Sequence, residues 1–303
     1  MKLNLSKHDR ICFLGDSITA AGLWVKEVSQ WFLDNLPELE IGLYNCGISG
    51  KRGREKNVKN VFYSDCIRYF PKYVVIMYGM NDVEVINHGN DDENSLKSIK
   101  EAVAGYPDTL NYYIEECKKI GAIPVICSPT PYNEYTDTPA TLYKGTDKDL
   151  AVFAEMAEKI AKENNLIYVN MRKAIFDHIY ENPINEDRVH PNPYGHHLMA
   201  EEFLCTIGAK EEREIEKDCV ISPKNEKRYE TEQILRNLMF VERLWQGEDG
   251  TKSIEDQKKY AKEYSEKQED KRWLEWVKEF VENVDYKDEL RGQIVKLTLD
   301  MYK

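Results

Sequence analysis

The chain has 303 residues, of which 42% are hydrophobic and 32% are charged, and its formal net charge at pH 7 is −12. These values are typical of a globular protein with a substantial core and exclude a disordered or fibrous chain. The negative charge argues against a general nucleic-acid binder, because a phosphate backbone would be repelled and the basic run 51–54 is too short to form a binding patch.

The cysteines and the first ten residues indicate in which cellular compartment the protein is expected. The seven cysteines include no CxxC pair, which leaves no indication of a zinc site or a redox dithiol. Cys12, Cys46 and Cys127 lie in apolar runs and are predicted to be buried thiols. The first ten residues lack the apolar stretch of a signal peptide, and no run of about 18 apolar residues predicts a membrane span. These features favour a reduced, cytoplasmic setting.

Short apolar runs alternate with segments of helical spacing through most of the chain. Five runs predict β-strands, at Ile11–Leu14, Ile41–Asn45, Tyr73–Tyr78, Ile123–Ser128 and Leu166–Asn170. Between them apolar residues recur every three or four positions, as over 24–36, 110–117 and 150–161, and a last helix is predicted at about 194–207. This alternation predicts an α/β fold with a parallel sheet and helices on both faces.

The residues after the first predicted strand, Gly15-Asp16-Ser17, place a serine where a strand gives way to a helix. At a helix N-terminus the backbone N–H of Ser17 has no intrahelical partner, so it can point at a substrate oxygen, and the helix dipole favours negative charge there. Asp and Ser are also ordinary N-cap residues, so the triplet alone leaves a purely structural role open.

Two further loops follow the second and third predicted strands. The glycines of 45–50 let backbone N–H groups approach a ligand, and Asn81, within 79–82, can direct its side-chain amide into the same space. Either segment alone could be an ordinary turn rich in Gly and Asn. Open parallel sheets place their ligand crevice at the carboxyl ends of the strands, where all three loops begin, and this placement favours the functional interpretation.

A base for a serine nucleophile has to come from six histidines, and His190 stands out among them. It lies in an extended, proline-containing segment three residues after Asp187. In a tight turn this spacing lets the carboxylate reach the imidazole Nδ1–H and leaves Nε2 for Ser17. The alternative is a loop histidine beside a surface Asp. His196 and His197 open the following helix and are predicted to be packing or capping residues.

The composition changes near residue 210. Charged residues rise from about a quarter of the chain before this point to almost half after it, and all eleven prolines lie at or before Pro223. Apolar residues at helical spacing form three stripes, at 234–245, 273–284 and 290–301. We therefore predict a catalytic domain at 1–209 and a charged α-helical extension at 210–303, which either packs on the chain itself or serves as a lid or as the contact of a homo-oligomer.

Four blocks in this order resemble the SGNH (GDSL-type) hydrolase superfamily: Gly15-Asp16-Ser17-Ile18, Asn45-x-Gly47-x-x-Gly50, Gly79-x-Asn81-Asp82 and Asp187-x-x-His190-Pro191. The resemblance spans about residues 10–209 and implies a flavodoxin-like three-layer α/β/α sandwich with a five-stranded parallel sheet. It implies Ser17 as nucleophile, His190 as general acid and base, and Asp187 as the partner of His190. It also implies an oxyanion hole formed by Ser17, Gly50 and Asn81, with Gly47 as turn support and with no metal or organic cofactor.

The expected substrate is a small-molecule ester, and we expect a small acyl group such as acetyl on a carbohydrate or another polar alcohol. Residues expected near the site, among them Lys51, Arg52, Asn133 and Glu134, are polar, and Tyr132 and Tyr135 could stack on a sugar or instead anchor a loop. Alternatives are a lysophospholipase or thioesterase acting on longer acyl chains, and a non-catalytic binding module.

Overall fold

The computed structural model describes residues 2–55, 58–59 and 62–215, and beyond them positions 226, 230–231, 234, 253, 255–256, 259 and 263. The chain divides into two compact units, Met1–Asn225 and Glu226–Lys303. Except for Ile234, the stripes predicted for the C-terminal helices lie outside the described residues, so the extension at 210–303 and its part in an oligomer stay predictions. None of the helices formed by the described residues is both long and apolar enough to cross a membrane.

Five parallel strands form one sheet, which confirms the predicted fold class. The strands are β1 (Arg10–Gly15), β2 (Gly42–Asn45), β3 (Tyr73–Met77), β4 (Ile123–Cys127) and β5 (Ile167–Val169). Their order is β2-β1-β3-β4-β5, with Phe13 of β1 in register with Asn45 on one side and Val75 on the other. This order is that of flavodoxin-like sheets, and its switch point lies at the carboxyl ends of β1 and β3.

Helices connect the strands, as parallel pairing requires. They are α1 (Ser17–Ala21), α2 (Leu23–Asn35), α3 (Glu93–Lys119), α4 (Thr146–Glu163), α5 (Met171–Phe176) and α6 (Pro193–Thr206). Short 3₁₀ or π turns lie at Pro37–Leu39, Phe62–Cys66, Ile67–Tyr69, Val85–Gly89 and Ile179–Glu181.

The two faces of the sheet are covered by different helices, which gives three layers. On one face the ring of Phe13 lies 5.1 Å from Trp24 of α2 and 5.6 Å from Phe203 of α6, centroid to centroid. Elsewhere α3 and α4 contact each other through the stacked rings of Tyr106 and Phe153, 3.9 Å apart. Replacing one such fully buried Phe by Ala typically costs about 3–5 kcal/mol, so these rings are a large part of the core's stability.

The central strands are buried on both sides, as their sequences indicate. Val74, Val75 and Ile76 of β3 are 0% exposed, the burial expected of a parallel strand without polar alternation. Cys12 of β1 and Cys127 of β4 are buried, and Cys46 is buried just after β2, which confirms the three thiols predicted to be inside.

One helix is much longer than its apolar spacing indicates. The pattern at 110–117 marks only the C-terminal part of α3, which begins at Glu93 and continues through Pro107. Its N-terminus is capped by Asp92, whose carboxylate accepts hydrogen bonds from the N–H groups of Asn94 and Ser95. Gly105 and Pro107, both unfavourable inside a helix, lie at the middle of α3, and they separated its N-terminal half from the recognised pattern.

Candidate active site

Ser17 lies at the turn from the central strand into the first helix. β1 ends at Gly15, Asp16 is the N-cap of α1, and Ser17 is the first residue of that helix. The Asp16 carboxylate accepts a hydrogen bond from the N–H of Ile18, 3.0 Å away, so the cap is provided by Asp16 rather than by the serine. The Ser17 hydroxyl is half-buried and free of a capping role, which leaves it available for chemistry.

The side chains of Ser17, His190 and Asp187 form a continuous chain of hydrogen bonds. Nε2 of His190 lies 2.7 Å from the Ser17 Oγ, and Nδ1 lies 2.7 Å from an Asp187 carboxylate oxygen. The serine and the histidine are 173 positions apart in the sequence, so only the fold brings them together. Both distances suit a nucleophile, its base and the group that orients the base.

The Asp187 carboxylate is fixed by the turn that carries it. Its second oxygen accepts hydrogen bonds from the backbone N–H groups of Val189 and His190, both 2.9 Å away. Partial burial alone would raise the pKa of Asp187, but these N–H groups and the His190 ring together hold it below its ordinary value. Asp187 therefore stays ionised at neutral pH and can hold a proton on Nδ1 of His190.

Asp16 is a buried acid beside the nucleophile, and its titration should be visible in stability. Burial, with a smaller contribution from repulsion by Asp82, raises the pKa of Asp16 to about 7 against the hydrogen bond from Ile18. In the unfolded chain the group titrates near 3.9, roughly three units lower. Between these values the folded protein binds the additional proton, so the free energy of unfolding falls as pH rises towards 7, and above 7 the whole penalty of the buried charge is present.

Asp16→Asn keeps an oxygen that can accept from Ile18 and removes the titration. We expect its free energy of unfolding to rise relative to that of the wild type by roughly 2–4 kcal/mol between pH 4 and pH 8. Urea unfolding of both proteins at a series of pH values measures this difference. Parallel pH dependences would contradict the raised pKa.

The loop after β2 is held against α1. Asn45 donates from its side-chain amide to the Thr19 carbonyl, 2.6 Å away, and accepts from the Gly47 N–H at 2.9 Å. A Cβ on Gly47 would lie 2.5 Å from the backbone nitrogen of Ala20, so only glycine fits. Gly50, with a φ of +72°, is exposed beyond this contact.

Hydrogen bonds join the loop carrying Gly50 to the loop carrying Asn81. The Asn81 side-chain amide donates to the Lys51 carbonyl, 3.1 Å away. The buried Asp82 carboxylate accepts from the N–H groups of Gly53 and Arg54 at 3.0 and 3.3 Å. Burial raises the pKa of Asp82, and these two N–H groups oppose that rise. The two loops therefore form one unit at the carboxyl ends of β2 and β3.

The basic run after Gly50 is partly neutralised by two nearby acids. Nζ of Lys51 lies 3.4 Å from the Glu55 carboxylate, and the guanidinium of Arg52 lies 3.0 Å from that of Glu84. Arg54 also forms an ion pair with Glu84, whose side chain is 8% exposed. The positive charge that the sequence suggests for this loop is therefore partly compensated.

Tyr132 and Tyr135, for which the sequence left sugar stacking and loop anchoring open, both form structural hydrogen bonds. Tyr132 is 1% exposed, and its hydroxyl donates to the Thr141 carbonyl and accepts from the Tyr143 N–H. Of the two alternatives for Tyr132, the structure supports loop anchoring, because its ring is inside the loop. Tyr135 is 40% exposed, but its hydroxyl donates to Asp147 at 2.5 Å, so its contact with a sugar stays a prediction.

His196 and His197 are each 2% exposed, consistent with the packing role predicted for them. Burial, and then repulsion from His190, lowers the pKa of His196 to about 4, so this ring is neutral at pH 7. Neither ring takes part in the hydrogen-bonded chain that contains Ser17.

Within the described part of the chain, one cluster has the side chains of a metal site: Glu27 of α2 with His197 and Glu201 of α6. Nδ1 of His197 lies 2.5 Å from the Glu27 carboxylate and Nε2 lies 2.5 Å from the Glu214 carbonyl, while Nζ of Lys210 lies 2.7 Å from Glu201. Burial would lower the pKa of His197, but Glu27 raises it above its ordinary value. The cluster is an ion-pair network that anchors residues 210–214.

Two residues with positioning contacts escaped the sequence analysis. Asp82 and Arg188 both lie inside the four blocks, but the chemistry of the reaction assigns roles only to Asn81, Asp187 and His190 there. Burial was the missing signal, since Asp82 is 1% and Arg188 5% exposed. A charged side chain is rarely buried unless it is paired or hydrogen-bonded, and both of these are.

A family model described as GDSL-like lipase/acylhydrolase matches residues 13–198, which is more than half of the chain. The chain belongs to this GDSL-like family. The match includes Ser17, Gly50, Asn81, Asp187 and His190. Together with its esterase relatives, family membership makes this GDSL-like protein a carboxylic ester hydrolase.

An acetylxylan esterase from Geobacillus stearothermophilus is 27% identical over 224 residues, which are 68% of this chain and 97% of that protein. A crystal structure of a catalytic mutant of an acetylxylan esterase from the same organism is 26% identical and superimposes with a TM-score of 0.56, over 68% of this chain and 97% of the other. Another catalytic mutant of that esterase, with a serine replaced by alanine, covers the same shares.

The structure of a gut microbial diltiazem-metabolizing enzyme covers 100% of this chain and 96% of its own, with a TM-score of 0.72. At 14% identity this likeness shows the fold alone.

Proposed function

We propose that this GDSL-like protein hydrolyses its ester through a Ser17–His190–Asp187 triad and an acyl-enzyme, and that it removes acetyl groups from a carbohydrate or a similar polar alcohol. The observation that carries the triad is the unbroken hydrogen-bonded chain from the Ser17 Oγ through both ring nitrogens of His190 to Asp187.

The first half of the reaction acylates the enzyme. The Ser17 Oγ attacks the ester carbonyl carbon while Nε2 of His190 takes the hydroxyl proton. Asp187, ionised and fixed by backbone N–H groups, holds Nδ1–H and stabilises the imidazolium. When the tetrahedral intermediate collapses, the imidazolium gives its proton to the departing alcohol. Water then attacks the acyl-Ser17 by the same route and releases the acid.

The negative oxygen of each tetrahedral intermediate needs hydrogen-bond donors that are already in place. We assign three: the N–H of Ser17, the N–H of Gly50 and the side-chain amide of Asn81. One N–H of the Asn81 amide is held by the Lys51 carbonyl, and the second is the one assigned to the oxyanion. The contacts between residues 51–54 and 81–84 keep the Gly50 and Asn81 donors at a fixed separation.

A neutral substrate fits the charges near the site. Lys51, Arg52 and Arg54 share the carboxylates of Glu55 and Glu84, so two of the three positive charges are compensated and the attraction of this loop for the phosphate of a phospholipid or of a thioester carrier is weakened. An acetylated sugar carries no such charge. The acetylxylan esterase that matches over two thirds of this chain supports the same substrate class.

Chain-length preference tests the substrate proposal. We expect kcat/KM for p-nitrophenyl acetate to exceed that for p-nitrophenyl octanoate by about tenfold or more, equivalent to about 1.4 kcal/mol in the transition state. Release of acetate from acetylated xylose and from acetylated xylooligosaccharides then tests whether the alcohol part of the ester is a carbohydrate. A preference for octanoate would overturn the acetyl assignment and favour a lysophospholipase or thioesterase.

A further inference from the structure

We propose that Arg188 is a positioning residue that holds the turn carrying Asp187 and His190 in its working geometry. This inference rests on the proposed triad. It assigns a role to a side chain that contacts the β4 loop, defined here as residues 133–140.

The guanidinium of Arg188 is bonded to backbone carbonyls at four points of the β4 loop. Nε donates to the Ala140 carbonyl at 3.0 Å and one terminal nitrogen donates to the carbonyls of Asn133 and Thr136 at 2.9 and 3.1 Å. The other terminal nitrogen donates to the Thr138 carbonyl at 3.1 Å. Four of the five N–H groups of the side chain are thus used on one loop.

The backbone of Arg188 is tied to the same loop and to the turn. Its carbonyl accepts from the Asn133 N–H at 2.9 Å, and its N–H donates to the Asn185 carbonyl at 3.0 Å. The Asn185 N–H in turn donates to the His190 carbonyl at 2.8 Å, which closes the turn. Arg188 has a φ of +69°, a conformation that is uncommon for a non-glycine residue and that these hydrogen bonds help to hold.

The catalytic side chains of the turn are largely open to solvent, so few other contacts could hold the turn if those of Arg188 were lost. The side chains of His190 and Asp187 are 40% and 50% exposed, whereas Arg188 is 5% exposed. An exposed two-residue pair loses its alignment when the backbone beneath it moves, and a misplacement of about 1 Å at a reacting group can cost on the order of 10²-fold in rate. Arg188 is the part of the turn that is fixed in the protein interior.

Lysine is not an equivalent replacement at this position. An ammonium group has three donors at one point, whereas the planar guanidinium reaches carbonyls spread along the loop from Asn133 to Ala140. Arg188→Lys should therefore hold the turn in part, and Arg188→Ala should release it.

The test measures both variants in the full chain, with Lys72→Ala as a control. Lys72 is a half-buried cation that donates to the Asn4 carbonyl and to the Asp9 carboxylate, both 2.6 Å away. It directly precedes β3, so it lies at the amino ends of the strands, opposite the edge that carries the triad. Assays run well below each variant's Tm, with p-nitrophenyl acetate as substrate and a fluorophosphonate as a probe of the reactivity of Ser17.

We expect Arg188→Ala to lower kcat about 30- to 100-fold with KM changed less than about threefold, and to slow fluorophosphonate labelling in parallel. Arg188→Lys should fall between Arg188→Ala and the wild type. Lys72→Ala should lower Tm but change kcat by less than about threefold, because a structural loss at the opposite edge of the sheet does not misalign the triad.

A kcat and a labelling rate within about twofold of the wild type in Arg188→Ala would overturn the positioning role. If Arg188→Ala does not fold, kcat and the labelling rate of Arg188→Lys test the positioning role by the same criterion. Failure of the proposed function is distinguishable, because the wild-type protein would then neither hydrolyse the ester nor be labelled at Ser17.

Discussion

Ser17→Ala should abolish turnover while leaving the protein folded. We expect kcat for p-nitrophenyl acetate to fall on the order of 10⁴- to 10⁶-fold, the loss typical of a missing triad nucleophile. The fold should survive because α1 is capped by Asp16, and the hydroxyl of Ser17 bonds to His190 rather than to the helix. Steady-state kinetics and the Tm measure the two parts of this expectation.

The exposed Ser6→Ala serves as its control, and it should retain wild-type kcat and Tm. Activity of Ser17→Ala within about a hundredfold of the wild type, in a preparation free of other esterases, would remove Ser17 from the role of nucleophile.

Asn81→Ala should give a folded enzyme with kcat reduced by on the order of 10²–10³-fold, the usual cost of one lost oxyanion donor. The loss should lie mainly in kcat, because the charge on the oxygen develops only in the transition state. The two loops should stay joined, since Asp82 still binds the N–H groups of Gly53 and Arg54. Steady-state kinetics with p-nitrophenyl acetate measure the effect.

Asn90→Ala is a matched control for Asn81→Ala. Asn90 is exposed and also donates its side-chain amide to a backbone carbonyl, that of Ile86, in the segment that follows the Asn81 loop. Its kcat should equal that of the wild type. Near-normal kcat in Asn81→Ala would exclude this side chain from the oxyanion site, and a loss confined to KM would assign it to ground-state binding instead.

The strands and the approximate site could be predicted because both follow from local patterns and one topological rule. The continuous apolar run of β3 identifies a strand buried on both faces, and the chain needs no distant information to form it. Parallel strands then bring the ends of β1, β2 and β3 to one edge, so that Ser17, Gly50 and Asn81 share a region. The spacing of Asp187 and His190 is similarly local.

Contacts between distant segments could not be predicted in this way. The pairing of Arg52 and Arg54 with Glu84 depends on how two loops meet, and sequence alone shows only a basic run. The orientation of Tyr132 depends on the path of the loop after β4, which buries its ring. Neither the ion pairs nor the burial of Tyr132 produces a periodic pattern in the sequence.

Arg188 shows the same limit inside a recognised motif. Its neighbours Asp187 and His190 are recognisable because their chemistry requires those residue types three positions apart. Arg188 is one of the two residues between them, and its side chain is held by carbonyls of the β4 loop, about fifty positions away in the sequence. A buried arginine among backbone carbonyls becomes visible only in three dimensions. Its contacts make the conformation of the triad turn depend on a loop outside the four blocks.

The central claim is that Ser17 forms a covalent bond to the acyl group, and site mapping of a mechanism-based label tests it most directly. The full chain would be incubated with a fluorophosphonate, digested and analysed by mass spectrometry, with residual esterase activity followed in parallel. We predict one equivalent of label on the peptide containing Ser17, with loss of activity proportional to labelling, and no label in Ser17→Ala. Complete inactivation with the label on a different residue, or full labelling of Ser17 with activity retained, would contradict it.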